Sequence, residues 1–174
     1  EDLVRPFQLA DKVEVPAGRY SFHFGEVFYR MPSGRTFQAG VNLKAGSFYD
    51  GWRGTVGVRP TINVSRYLRI RGSYQLNRIR FPDRDQQFTA HVGRLRAEVT
   101  PSVEYSIAGF LQYNSARGVV VGNVRFRYNP RQGTDLYLVY NERLNSDRSV
   151  TSGPRLPLSS RRAVVLKYTY TFNW

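Results

Sequence analysis

Residues 161–174 read RRAVVLKYTYTFNW, and every second position is apolar or aromatic: Val164, Leu166, Tyr168, Tyr170, Phe172 and Trp174. The intervening set, Ala163, Val165, Lys167, Thr169, Thr171 and Asn173, is small or polar. Successive side chains of a strand point to opposite faces, so this pattern predicts a strand with one greasy and one wet face. The alternation recurs about nine times, with turns rich in Gly, Pro, Asn, Asp and Ser between the segments. It predicts strands over 20–31, 36–48, 52–63, 67–80, 87–99, 103–114, 118–128, 134–143 and 161–174. In 67–77 the apolar set is Leu68, Ile70, Tyr74 and Leu76, against Arg69, Arg71, Ser73, Gln75 and Asn77. In 118–129 it is Val120, Val124, Phe126 and Tyr128, against Asn123, Arg125, Arg127 and Asn129. The strands over 20–31 and 87–99 alternate less cleanly. The phase of the second slips near Gly93, which predicts a bulge there.

Most of these segments reach the 9–11 residues that a tilted strand needs to cross a bilayer. Strands of soluble sandwiches are shorter, near five or six residues. The fold expected is all-β: an antiparallel, up-and-down transmembrane β-barrel of about 9–10 strands, whole or part of a larger barrel. A C-terminus on the inner side of the membrane places the longest connection, 144–160, outside. Nine strands is an odd number, whereas single-chain bacterial barrels are even. Either the N-terminal residues supply a further strand, or these strands belong to a larger barrel, and the second reading is preferred. FQLADKVEV has Phe7, Leu9, Val13 and Val15 in phase, but Asp11 would then face lipid. The chain thus divides into residues 1–19, an outer segment or extra strand, and 20–174, the barrel strands.

Composition is consistent with this. The 174 residues include 15 Gly and, as 12 Tyr and 11 Phe, many aromatics. There is no Cys, which excludes disulfides and thiolate metal sites. No apolar run approaches the roughly 20 residues of a membrane helix. A mean hydropathy of −0.47 still suits a barrel, which hides its hydrophobicity in alternation. The net charge of +13 raises a soluble basic binder as another reading. The Arg residues are spread along strands, however, and form neither a basic helix nor a patch, so no nucleic-acid partner is expected.

Several segments, in order, resemble a bacterial family of unknown function: VPAGRY (15–20), GSFYDG (46–51), FLQYNSARG (110–118) with NVRFRY (123–128), GTDLYLVYNE (133–142) and RAVVLKYTYTF (162–172). Its members carry an N-terminal carbohydrate-binding domain similar to family 9 modules and a C-terminal outer-membrane barrel. The resemblance implies the outer membrane of a Gram-negative bacterium as location, longer relatives, and a domain or partner subunit outside these residues. It assigns sugar binding to no position here.

Seven Arg residues, Arg59, Arg69, Arg71, Arg94, Arg96, Arg125 and Arg127, fall on the wet face in the inner half, with Glu98, Glu104 and Asp135 at that level. Two readings of such a lumen stand open. Arg–carboxylate ladders can fill it, as in small barrels, or the excess cations can line an anion-preferring, porin-like path. Aromatic residues near strand ends would form interfacial girdles: Tyr20, Trp52, Tyr113 and Tyr140 outside, and Tyr67, Tyr105, Tyr128, Phe172 and Trp174 inside. Tyr170, Phe172 and Trp174 would form the signal read by the barrel insertion machinery. The long outer loop reads first as a solvated surface loop; the alternative is that Arg148, Arg155, Arg161 and Arg162 in and beside it meet lipopolysaccharide phosphates. His91 with Asp83 and Asp85 is weak support for catalysis, and His23 is expected to hydrogen-bond in the lumen. No enzyme activity, cofactor or metal is expected. The expected role is a membrane anchor or structural subunit, with a passive anion channel as the alternative.

Overall fold

The computed structural model describes residues 2–10, 13–149 and 154–171. Nine antiparallel strands form one meander in strict chain order: β5 (Phe24–Arg30), β6 (Phe37–Phe48), β7 (Gly51–Asn63), β8 (Leu68–Phe81), β9 (Gln86–Val99), β10 (Tyr105–Asn114), β11 (Val119–Arg131), β12 (Thr134–Asn145) and β13 (Ser159–Tyr170). Four short strands precede them: β1 (Asp2–Leu3) pairs with β4 (Gly18–Arg19), and β2 (Phe7–Ala10) with β3 (Val13–Val15). The expected all-β, antiparallel architecture is present. The sheet is not a closed barrel: β5 and β13 are its two edges. The N-terminal strands do not join it.

The turns follow from local chemistry. At what we call the upper end, β6–β7 turns through Tyr49 (φ 54°), β8–β9 through Pro82–Arg84 and Asp85 (φ 47°), and β10–β11 through Ser115–Arg117 and Gly118 (φ 56°). Each needs a left-handed residue, which Asp tolerates and Gly adopts freely. Asn114 Oδ1 accepts from the Arg117 amide and sets the third turn. The 146–158 connection is also at this end. The lower end carries the shorter links 31–36, 64–67, 100–104 and 132–133. Pro130 has no N–H to donate, and the β11–β12 register shifts between Tyr128 and Arg131 around it.

The bulge expected at Gly93 is absent. The β8–β9 register runs unbroken from Leu68↔Val99 to Phe81↔Gln86, and β9–β10 runs unbroken past Tyr113↔Gly93. What changes at Gly93 is chemistry: below it the wet-face residues are Arg94, Arg96 and Glu98, and above it they are Val92, Ala90 and Phe88. At Phe88 the cause is the N-terminal segment. Val13 and Val15 pack on Ile79 and Phe81, with Leu3, Phe7, Leu9, Tyr20, Phe48, Tyr49 and Phe88 around them. The segment thus caps the upper part of the wet face, which is apolar where it is covered. Phe81 and Val15 are fully buried. Arg84 fastens the cap: its guanidinium donates to the Glu14 carbonyl and to Asp50 Oδ1 (2.8 Å) and lies 4.3 Å from the Phe81 ring centre. Arg19 and Asp2 clasp β1 to β4 through two hydrogen bonds of 2.8 and 3.3 Å.

This cap holds the main cluster of buried side chains. The solvent-accessible surface is 12725 Å², against roughly 8,700 Å² expected for a compact globule of 20.1 kDa. The excess lies on the two open faces of the sheet.

Candidate functional site

Cross-strand partners share a face, so the register sorts the side chains. One row runs Phe37–Ile62–Ile70–Ala97–Gly109–Val124–Tyr140–Val164, from β6 to β13, without a charge. The neighbouring row, one residue along and on the other face, runs Asn63–Arg69–Glu98–Ala108–Arg125–Val139–Val165. We call these the apolar face and the wet face. Val27, Leu43, Val56, Leu95, Leu111, Leu138 and Leu166 of the apolar face are exposed, with Leu166 at 68%.

The register brings all seven sequence-identified Arg residues to the wet face. Glu98 bridges two of them: Arg71 Nη2 donates to Oε2 (2.7 Å) and Arg96 Nε to Oε1 (2.8 Å). Arg71 and Arg96 are directly opposed, so without Glu98 two like charges would face each other. Arg127 Nε donates to Asp135 Oδ1 (2.6 Å), which also accepts from Asn129 (3.0 Å). Arg69 and Arg94 meet neutral oxygens, on Asn63 (2.9 Å) and Gln112 (3.0 Å). Among the described residues Arg59 and Arg125 have no carboxylate partner. Glu104 lies in the lower link before β10, where its carbonyl accepts from the Asn129 amide.

Trp52 and Tyr113 stand on the apolar face toward the upper end, whereas Tyr140, on the same face, lies at the middle of β12. Tyr105 and Tyr128 stack at the lower end, with ring centres 4.8 Å apart, and Tyr67, just before β8 at the same end, is exposed. Tyr20 stands apart from the nine strands: it donates to the Pro16 carbonyl and meets Tyr49 edge-on. Tyr170 ends β13 on the apolar face opposite Thr134. Asp11, Phe172 and Trp174 lie outside the described residues. His91 is on the apolar face, its Nδ1 2.7 Å from the Tyr74 hydroxyl, and no His–carboxylate pair occurs among the described residues. Nor do these residues hold three metal-ligating side chains in one group.

The four basic residues in and beside the long loop do not act together. Arg148 Nε donates to the Leu156 carbonyl (2.7 Å), Arg155 is exposed, Arg161 opposes Arg143 on the wet face, and Arg162 pairs with Glu142 (2.7 Å) on the apolar face. In the loop, hydrogen bonds from the Ser149 hydroxyl and amide hold the Asp147 carboxyl below its ordinary range.

Sequence reasoning missed Arg78 and Arg80. Both are exposed on the apolar face, just above Tyr74 and Leu76, because Ile79 and Phe81 turn under the cap. The signal was legible in Arg78–Ile79–Arg80–Phe81, where the polarity of β8 reverses.

No protein-family model, curated protein or solved structure matches this chain.

Proposed function

We propose that these nine strands form the wall of a bacterial outer-membrane β-barrel and serve as a membrane anchor or structural subunit, with the Arg-rich face toward the lumen. The observation that carries this reading is the uncharged apolar row that crosses eight strands, uncovered among the described residues. In water that face would be a severe aggregation liability; against acyl chains it is at equilibrium. The aromatic residues near both strand ends suit the two interfaces.

Closure sets a condition. β5 and β13 run in the same direction, so pairing them directly would be parallel. Two copies inserted the same way round would also meet β5 to β13 in parallel. An antiparallel barrel needs an odd number of further strands between these edges, from more of a longer chain or from a partner subunit. A separate sugar-binding domain, as the family resemblance implies, would be held at the membrane by such a barrel.

The test is detergent refolding followed by an unboiled and a boiled gel lane, with circular dichroism. A compact, faster-running unboiled band supports a barrel closed by this chain. Strand-rich dichroism with no shift, in protein that stays in detergent micelles, supports an open wall awaiting its added strands. A folded monomer in plain buffer overturns the membrane reading in favour of a soluble basic domain.

Arg59, Arg69, Arg94 and Arg125, wet-face residues without a carboxylate partner among the described residues, favour a second reading, an anion-preferring passage. Reversal potentials across a salt gradient test it, and folded, inserted protein that carries no current removes it.

A further inference from the structure

We infer that Arg78 and Arg80 form a binding site for the phosphate of an anionic membrane lipid on the apolar face. The inference rests on the membrane reading above.

Both guanidinium groups sit where charge is least expected. Their β8 neighbours Ile79 and Phe81 are buried under the N-terminal cap, so the backbone phase is fixed and the Arg side chains cannot turn to the wet face. Among the described residues neither has a carboxylate partner; Arg78 makes one long hydrogen bond, 3.5 Å, to Gln87. Arg78 lies between Gly54 and Thr89, and Arg80 between Trp52 and Gln87. A Cβ on Gly54 would touch nothing, so the floor beside Arg78 is open. Paired planar guanidinium groups with amide and hydroxyl neighbours suit phosphate oxygens.

Position points to a lipid rather than a dissolved ion. From Leu68 to Arg78 is about ten residues, roughly 33 Å along the strand, or about 25 Å across the bilayer at a usual tilt, the height of a barrel's apolar band. The Arg pair therefore stands at the head-group level of the membrane. Four residues down β8 from Arg78, beyond the Leu76–His91 pair, Pro60, Tyr74, Leu95, Leu111 and Tyr113 border a shallow groove of about 400 Å³ over Gly72 and Gly93. One phosphate above and one acyl chain below is the shape of a single anionic lipid.

Trp52, cross-strand partner of Arg80, is a built-in probe. A W174F background leaves Trp52 as the single tryptophan and keeps an aromatic residue at the end of the chain. The protein is inserted into phosphatidylcholine vesicles that contain a minor fraction of either brominated phosphatidic acid or brominated phosphatidylcholine. The expected result is stronger Trp52 quenching by the phosphatidic acid, with a local preference of roughly fivefold per guanidinium. R78Q/R80Q should insert equally and lose that preference, whereas the loop variant R148Q/R155Q should keep it. Equal quenching by both lipids in inserted wild-type protein overturns the site and leaves the membrane reading intact. Loss of preference in the loop variant, or its abolition by millimolar inorganic phosphate, also overturns it, in favour of a diffuse basic surface or a phosphate-ion site. Absence of quenching by either lipid overturns the membrane reading and the site together.

Discussion

Tyr74 and Gly93 face each other across β8 and β9 in a register that has no irregularity on either side of them. Above this pair the chemistry of both strands inverts: charge moves to the apolar face, at Arg78 and Arg80, and apolar side chains move to the wet face, at Ile79, Phe81, Phe88 and Ala90. One unbroken backbone ladder thus serves two environments. The lower part of the wet face meets Arg and carboxylates; the upper part meets the N-terminal segment.

Phe81→Ala should detach that segment more than it disturbs the sheet. Phe81 is fully buried against Val13 and Val15, and truncating such a ring costs about 3–5 kcal/mol. Limited proteolysis should cleave within residues 1–20 of the variant well before wild type, while the strand dichroism is retained. Equal cleavage rates in the two proteins would show that the cap is held by other contacts.

The Asp2–Arg19 clasp should open in acid. Arg19 donates to both oxygens and holds the Asp2 carboxyl below its ordinary value of 3.8. A carboxylate with a depressed folded pKa gives stability that is complete above the unfolded value and is lost as pH falls through the folded one. Hydrogen exchange at the β1 and β4 amides, corrected for intrinsic rate, should therefore show less protection below pH 3.8 than at neutral pH. Asp2→Asn should remove the difference. A pH dependence that persists in the variant would assign it to another group.

Most of the nine strands were legible because they alternate at a period of two between turns; 20–31 and 87–99 alternate less cleanly, and the first of these is a strand only from Phe24 to Arg30. The wet-face Arg set was legible for the same reason: residues such as Arg69 and Arg71, two apart, share a face whatever the partner strand. Arg78 and Arg80 were not legible in this way. The local pattern Arg78–Ile79–Arg80–Phe81 shows only that polarity reverses; that the reversal is a change of surroundings and not a slip of phase depends on the packing of Phe81 with Val15, far apart in sequence. Phe88 of β9 packs on the same cluster, which adds to the impression of a slip in the β9 alternation. The partner of each Arg was equally hidden, since Arg71 and Arg96 share Glu98 through register across β8 and β9, which the sequence alone does not specify.

Glu98→Gln should expose the conflict between those two Arg residues. The carboxylate separates directly opposed guanidinium groups, and partly exposed pairs of this kind contribute on the order of 1 kcal/mol. The loss should shrink at high salt, where the repulsion is screened. Denaturant unfolding of the detergent-folded protein at low and high salt checks both statements. If the strands enclose a passage, the variant should also shift the reversal potential toward stronger anion preference.

The decisive pair of substitutions is Leu138→Arg and Val139→Arg. The two residues are adjacent in β12: Leu138 pairs with Phe126 and Leu166 on the apolar face, and Val139 with Arg125 and Val165 on the wet face. If lipid covers the apolar face, Leu138→Arg costs about 2–4 kcal/mol near the bilayer midplane, whereas the wet-face change is mild. If water covers both faces, the order changes. Leu138 is already 44% exposed, so a charge there would be neutral or favourable, and Val139→Arg, beside Arg125, would be the more costly of the two. Folding yield into phosphatidylcholine vesicles, read for the two variants side by side, therefore reports which solvent the apolar face meets. A yield lost for Leu138→Arg and kept for Val139→Arg is the result a lipid-facing wall requires.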